Sequence, residues 1–211
     1  MTTDNAALLL LLNWMSPTFP IGSFAYSHGL EQAIADGRIV TQNDAESWIS
    51  DLLQSGSGWN DAVLFAQCWH GNPNALALAL AGSAERYSET MQLGRNFNIA
   101  VAVWSDDEPT EQEMAYPVAA GLACNRMNIP QSQALAAYLQ GFCVALVSVA
   151  VRLVPLGQTA GLKVLRNLGT LISATATRAA SATLDDLGSN CIAAEIAAMQ
   201  HETLQPRIFR T

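Results

Sequence analysis

Residues Gln131–Arg152 read QSQALAAYLQGFCVALVSVAVR, and the environment assigned to this stretch decides the fold. From Ala134 to Val151 it is apolar apart from Gln140 within it, with Gln133 before it and Arg152 after it. That length approaches the roughly 20 residues needed to cross a bilayer. Its Ala, Gly, Ser and Gln content is nevertheless weak for insertion, and no basic cluster or aromatic belt flanks it. The stretch is therefore expected to be the central core helix of a protein that does not enter the membrane. Pro130 stands where a first-turn proline is tolerated, and nothing interrupts the helix before Pro155.

Helical signals continue outward in both directions. Thr41-x-x-Asp44, Thr110-x-x-Glu113 and Thr183-x-x-Asp186 have the spacing of capping boxes, with Asp in place of Glu in two of them. After the first box, Ala45, Trp48, Ile49, Leu52 and Leu53 form an apolar stripe at helical spacing. Leu162, Leu165, Leu168 and Ile172 do the same within 157–182. Alternating β-branched runs and hairpin turns are lacking, and Asp36-Gly37 reads as a helix end. The expectation is one all-α globular domain over 1–211 with about ten helices, near 5–15, 24–36, 42–55, 60–71, 73–82, 84–104, 112–127, 130–152, 158–181 and 187–200. Residues 1–4 and the tail 203–211 are expected to be loose.

Only 13% of the residues are charged and half are apolar, against roughly a quarter charged in ordinary domains. Alanine-rich helices around Ala179 and Ala197 add little bulk to a core, so apolar surface is expected to be buried against partners or a second copy. The net charge of -8 argues against nucleic acid, whose phosphates need clustered Lys and Arg. The charge is uneven: residues 1–120 hold 14 acids and 3 bases, whereas 121–211 hold 4 acids and 7 bases. Solvated helix faces account for most of this, and two partner surfaces of opposite sign are the functional alternative.

Cys68, Cys124, Cys143 and Cys191 stand far apart in apolar contexts without a CxxC pair, so they read as buried thiols of a reducing, cytoplasmic compartment. The leucines from Leu8 to Leu12 follow Asp4 rather than a basic segment, unlike a secretion signal.

Signs of catalysis are poor. Ser27 and His28 are sequence neighbours, which does not build a nucleophile–base pair, and Gly22-Ser23-Phe24 lacks the second glycine of a nucleophile elbow. In Gly157-Gln158-Thr159-Ala160-Gly161-Leu162-Lys163 the glycines are too close for a phosphate loop, and Val164 replaces the magnesium-binding hydroxyl. His28, His70 and His201 have no acidic or thiol partner four residues on, so no intrinsic metal site and no cofactor are expected, although a dimer axis could still pair one of them.

The informative segments are of another kind. Ser16-Pro17-Thr18-Phe19-Pro20-Ile21-Gly22-Ser23-Phe24-Ala25-Tyr26-Ser27-His28-Gly29-Leu30-Glu31 combines two prolines, a turn glycine and three aromatic residues. It either pins two helices from inside or presents a contact surface. This stretch resembles the N-terminal motif of the UreF family of urease accessory proteins. Ser88-Glu89-Thr90-Met91-Gln92-Leu93-Gly94 resembles the family's central motif, with Met91 where Arg is usual. Val151-Arg152-Leu153-Val154-Pro155-Leu156-Gly157-Gln158 is similar to its Arg-Leu-x-Pro-Leu-Gly-Gln signature. Met199-Gln200-His201-Glu202-Thr203, running on to Arg207-Ile208-Phe209-Arg210-Thr211, resembles its terminal motif, with Leu204 and Pro206 departing from the commoner residues.

The resemblance implies an all-helical, commonly dimeric accessory protein without enzymatic activity. Such a protein joins UreD (also called UreH) and the GTPase UreG on apo-urease, and couples GTP hydrolysis to nickel delivery. On this reading the tail, with His201, Glu202, Arg207, Phe209 and Arg210, orders on binding UreD around Phe209 as an apolar anchor. Arg152 either caps its helix electrostatically or, with Gln158, lines a polar turn facing a partner. Tyr26, Ser27 and His28, with Glu31, at the start of an exposed-looking helix, are the candidate surface for the GTPase. A small helical enzyme with an unrecognised site and a membrane-associated helical protein are the competing classes.

Overall fold

A computed structural model describes residues 4–104 and 112–211, and among these every regular element is helical. Ten α-helices occur: α1 (Asp4–Trp14), α2 (Leu30–Ala35), α3 (Gln42–Ser55), α4 (Ser57–Gln67), α5 (Asn74–Ala79), α6 (Ala84–Val101), α7 (Tyr116–Arg126), α8 (Gln131–Leu153), α9 (Gln158–Ala180) and α10 (Ile192–His201). The all-α expectation holds. Residues 1–3, expected to be loose, and Thr110 of the second capping box lie outside the described residues.

α8 is the one helix among the described residues long and apolar enough to cross a bilayer. It forms the spine of the fold. Leu135, Tyr138, Leu139, Cys143, Leu146 and Val149 are buried, chiefly against α9 and also against α4, α7 and α2. α9 returns antiparallel after the Val154–Gly157 corner and buries Val164, Leu168, Ile172 and Ala176 on one stripe. An aromatic file runs through the interior. Trp14 meets Phe97 (5.9 Å between centroids), Phe97 meets Tyr116 (5.7 Å), Tyr116 meets Tyr138 (5.4 Å) and Tyr138 meets Phe65 (5.0 Å). Rings at these separations attract beyond their buried area.

The first capping box forms as read. Thr41 Oγ1 accepts from the Asp44 N–H (3.2 Å), and the Asp44 carboxylate accepts from the N–H groups of Val40 (3.1 Å) and Thr41 (2.8 Å). These bonds, the one from Val40 foremost, hold the Asp44 carboxyl below its ordinary range. The stripe behind the box buries Ala45, Ile49, Leu52 and Leu53.

Elsewhere helix boundaries move, for identifiable reasons. The helix expected over 24–36 is only α2, because Tyr26 is extended and both His28 (φ 52°) and Gly29 (φ 76°) are left-handed, which a helix cannot continue through. Ser23–Ala25 makes a single 3-10 turn. The Thr183 and Asp186 pair closes another short turn rather than opening a long helix, and α10 begins at Ile192. Cys68, Cys124 and Cys143 are buried, with burial pushing each thiol up to about 12; Cys191 is only partly covered.

Candidate functional site

Three of the four motif stretches, far apart in sequence, meet in one buried polar seam. Gly29 permits this locally. A Cβ there would lie 2.8 Å from the Ala198 nitrogen and 2.9 Å from the Ala194 oxygen, so α10 crosses α2 in backbone contact. Gly94 does the same between α6 and the entry to α7, where a Cβ would fall 1.9 Å from the Met114 oxygen. With α2, α6 and α10 drawn together, their carboxylates and histidines face one another.

The tail closes the seam, and the expectation that it is loose is corrected. Phe209 is 3% exposed and Thr211 fully buried. Its backbone pairs with the N-terminal motif: the Arg210 N–H donates to Ala25 O (2.7 Å) and the Ser27 N–H to Thr211 O (2.8 Å). The Ser27 hydroxyl donates to the same oxygen. Glu31 captures the next two amides, its Oε1 accepting from Ile208 (2.7 Å) and its Oε2 from Phe209 (2.8 Å). A helix signal is absent after Pro206, but the tail needs none, because side chains of the body satisfy its amides. Phe209 is an anchor as read from the sequence, yet its pocket lies in this chain.

Two histidines organise the seam. His201 is fully buried, with Nε2 2.9 Å from Glu31 Oε2 and Nδ1 2.8 Å from Glu85 Oε2. Arg207 pairs with the other Glu85 oxygen and reaches the His201 carbonyl at 3.4 Å. His28 places Nε2 3.0 Å from Glu89 and Nδ1 3.2 Å from the Ser57 hydroxyl. Arg86 bonds Glu89 at 2.6 Å and approaches His28 Nε2 at 3.2 Å. Burial alone would raise the Glu89 carboxyl, but the Arg86 guanidinium, and then His28, bring it down to about 2. The Glu89 oxygen that Arg86 bonds, Oε2, also accepts from the Thr211 hydroxyl (3.1 Å), tying the tail to α6.

Behind this pair Asp61 is pushed up by burial, and accepts from the Tyr138 hydroxyl at 3.2 Å. Small cavities of about 60 and 120 Å³ flank the group formed by His28, Asp61 and Arg86. The space beside His28 and Glu89 that a metal would need is filled by the guanidinium, and His201 has both ring nitrogens engaged. Among the described residues no three of His, Cys, Asp and Glu are grouped to hold a metal ion.

The remaining residues singled out from the sequence divide. Tyr26 and Ser27 are buried and the His28 side chain is 11% exposed, so the exposed-helix reading of this trio is corrected: it pins α2, α6 and the tail from inside. Tyr26 faces Gln92, which Arg210 also reaches, each at 3.5 Å. Glu202, exposed, accepts from the first amide of α6 (3.0 Å). Arg152 and Gln158 lie apart from the seam, exposed at the two ends of the corner, with the Arg152 guanidinium 6.0 Å from the Phe24 ring centre. Glu85, Arg86, Glu89 and Thr211 were not singled out by sequence reasoning. Glu89 and Thr211 lay inside the quoted motifs, but without their partners they read as solvated polar groups.

The seam is a buried polar network in which an all-helical chain spends its acids, bases and tail on one another. The chain belongs to the UreF family, whose model matches residues 39–169. It is 43% identical over 215 aligned positions to the urease accessory protein UreF 1 of Brucella canis, covering 97% of this chain and 94% of that one. It is 46% identical to the urease accessory protein UreF of Rhizobium leguminosarum bv. trifolii, covering 97% and 96%.

Proposed function

We propose that this chain is a cytoplasmic urease accessory protein that binds UreD (UreH) and the GTPase UreG on apo-urease, and couples GTP hydrolysis to nickel delivery without catalysis of its own. The observation that carries the reading is family membership over nearly the whole chain, with relatives that are named urease accessory proteins. Nickel is cargo in this reading, and a homodimer is part of it.

Exposed apolar side chains support a binding role. Ile192, Ile196 and Met199 line the outer face of α10, and Ile208 projects from the tail beside it. Leu8, Leu9 and Leu12 do the same on α1. Apolar residues at helical spacing on a solvent face are the usual mark of a partner surface. The tail and its surroundings take UreD; the exposed corner of Arg152 and Gln158 faces a partner. Co-expression with UreD and UreG, followed by sizing with and without GTP and nickel, tests the reading. One complex holding all three proteins is expected. A chain that elutes alone under every condition overturns it.

A further inference from the structure

We infer that the C-terminal tail is held by a proton-dependent latch centred on His201, closed when the imidazole carries both hydrogens and released as the second is lost. The inference needs no partner and goes beyond the proposed function.

His201 Nε2 and Nδ1 each face a carboxylate oxygen, at 2.9 and 2.8 Å. Two such contacts require two hydrogens, and a neutral imidazole supplies one. The carboxylates are otherwise engaged as acceptors: Glu31 takes the amides of Ile208 and Phe209, and Glu85 takes Arg207. The second hydrogen is therefore a proton bound from solvent and held by the three groups together. When it leaves, a ring lone pair faces a carboxylate at full burial, in surroundings that cannot screen the repulsion.

The consequence falls on the tail because the same carboxylates hold it. Glu31 comes from α2 and Glu85 from α6, whereas Arg207, Ile208 and Phe209 belong to the segment they retain. On the same elements, Arg86 and Glu89 follow Glu85 on α6, His28 precedes α2 and Glu202 follows His201. His28 makes no such demand. A neutral ring can donate from Nε2 to Glu89 and accept at Nδ1 from Ser57, while Arg86, 3.2 Å from Nε2, spends its hydrogen bond on Glu89. The two histidines thus differ in kind, and only His201 needs a bound proton for its geometry.

The test uses the full-length, isotope-labelled protein between pH 6 and pH 8.5. Amide exchange of Ile208 and Phe209, corrected for its intrinsic pH dependence, is compared with that of α8, while the imidazole nitrogens of His28 and His201 are followed by NMR. Protection of the two tail amides is expected to fall about tenfold or more, in step with the His201 resonances, while α8 is unchanged. In His201→Gln, which cannot bind the extra proton, tail protection is expected to be low and flat; in His28→Gln the step should survive. Protection that does not change with pH, that tracks the His28 resonances, or that keeps its step in His201→Gln overturns the latch. Should a variant not fold, the wild-type resonances alone decide which histidine moves with the tail.

Discussion

The tail at 199–211 and the corner at 151–158 look alike as sequence. Each is a motif with arginine, a proline and scattered apolar residues, and each invites a reading as a surface for partners. Their surroundings are opposite. The tail hides Phe209, Thr211 and His201 and uses Arg207 against Glu85, whereas the corner leaves Arg152, Pro155 and Gln158 in solvent. The buried motif residues of the tail make their contacts within this chain. Those at the corner touch little of it.

The comparison is broken most severely by replacing Glu31 with Ala. That change strips the buried His201 of one carboxylate and leaves the amides of Ile208 and Phe209 without acceptors. A loss of about 3–5 kcal/mol is expected, as for other buried pairs cut on one side, together with proteolytic release of the tail. Urea unfolding and limited trypsin cleavage after Arg207 measure the two effects. A fully stable Glu31→Ala protein with a protected tail would mean that the seam is not what retains it.

Acid provides the next test. Glu89 ionises at about 2 in the folded protein against an ordinary value of 4.5. Its stabilising contribution is therefore complete above that ordinary value and is lost as pH falls toward 2. A difference of this size corresponds to roughly 3 kcal/mol. The urea midpoint of the wild type should drop between pH 5 and pH 3, and Glu89→Gln, already weakened at pH 5, should show a shallower drop. Gly29→Ala sets a Cβ against the α10 backbone at a left-handed residue, and a cost of about 1–3 kcal/mol is expected in thermal melts.

What was legible in the sequence follows the same division. The α3 stripe with its capping box and the α8 spine depend on neighbours one turn away, so spacing alone reveals them; on α9 spacing picked out the buried Leu168 and Ile172 but also Leu162, which is exposed. The tail depends on partners that only the fold supplies: His201 and Glu31 are 170 positions apart, and Thr211 and Glu89 are 122 apart. Polar residues at such separations look solvated until something brings them together, which is why a buried tail read as a loose one. The shortened α2 has a similar origin. A helix was expected over 24–36, but the close contact with α10 falls at the left-handed Gly29.

The smallest expected effect on stability is at the corner, and there it is most informative. Arg152 ends α8, where a cation is favoured by the helix dipole, and its guanidinium lies 6.0 Å from the Phe24 ring. Both contributions are exposed and worth little, so Arg152→Ala should unfold within about 0.5 kcal/mol of the wild type. If the corner serves only this chain, urease activation by the variant should be equally untouched. The exposed setting favours the other outcome: a protein that folds normally, keeps its tail protected and still fails to support nickel-dependent urease activation in cells carrying the other accessory proteins. Full activation by the variant would remove the corner from the binding surface. Partner binding would then be left to the apolar faces of α1 and α10, and the contrast with the tail would be one of exposure alone.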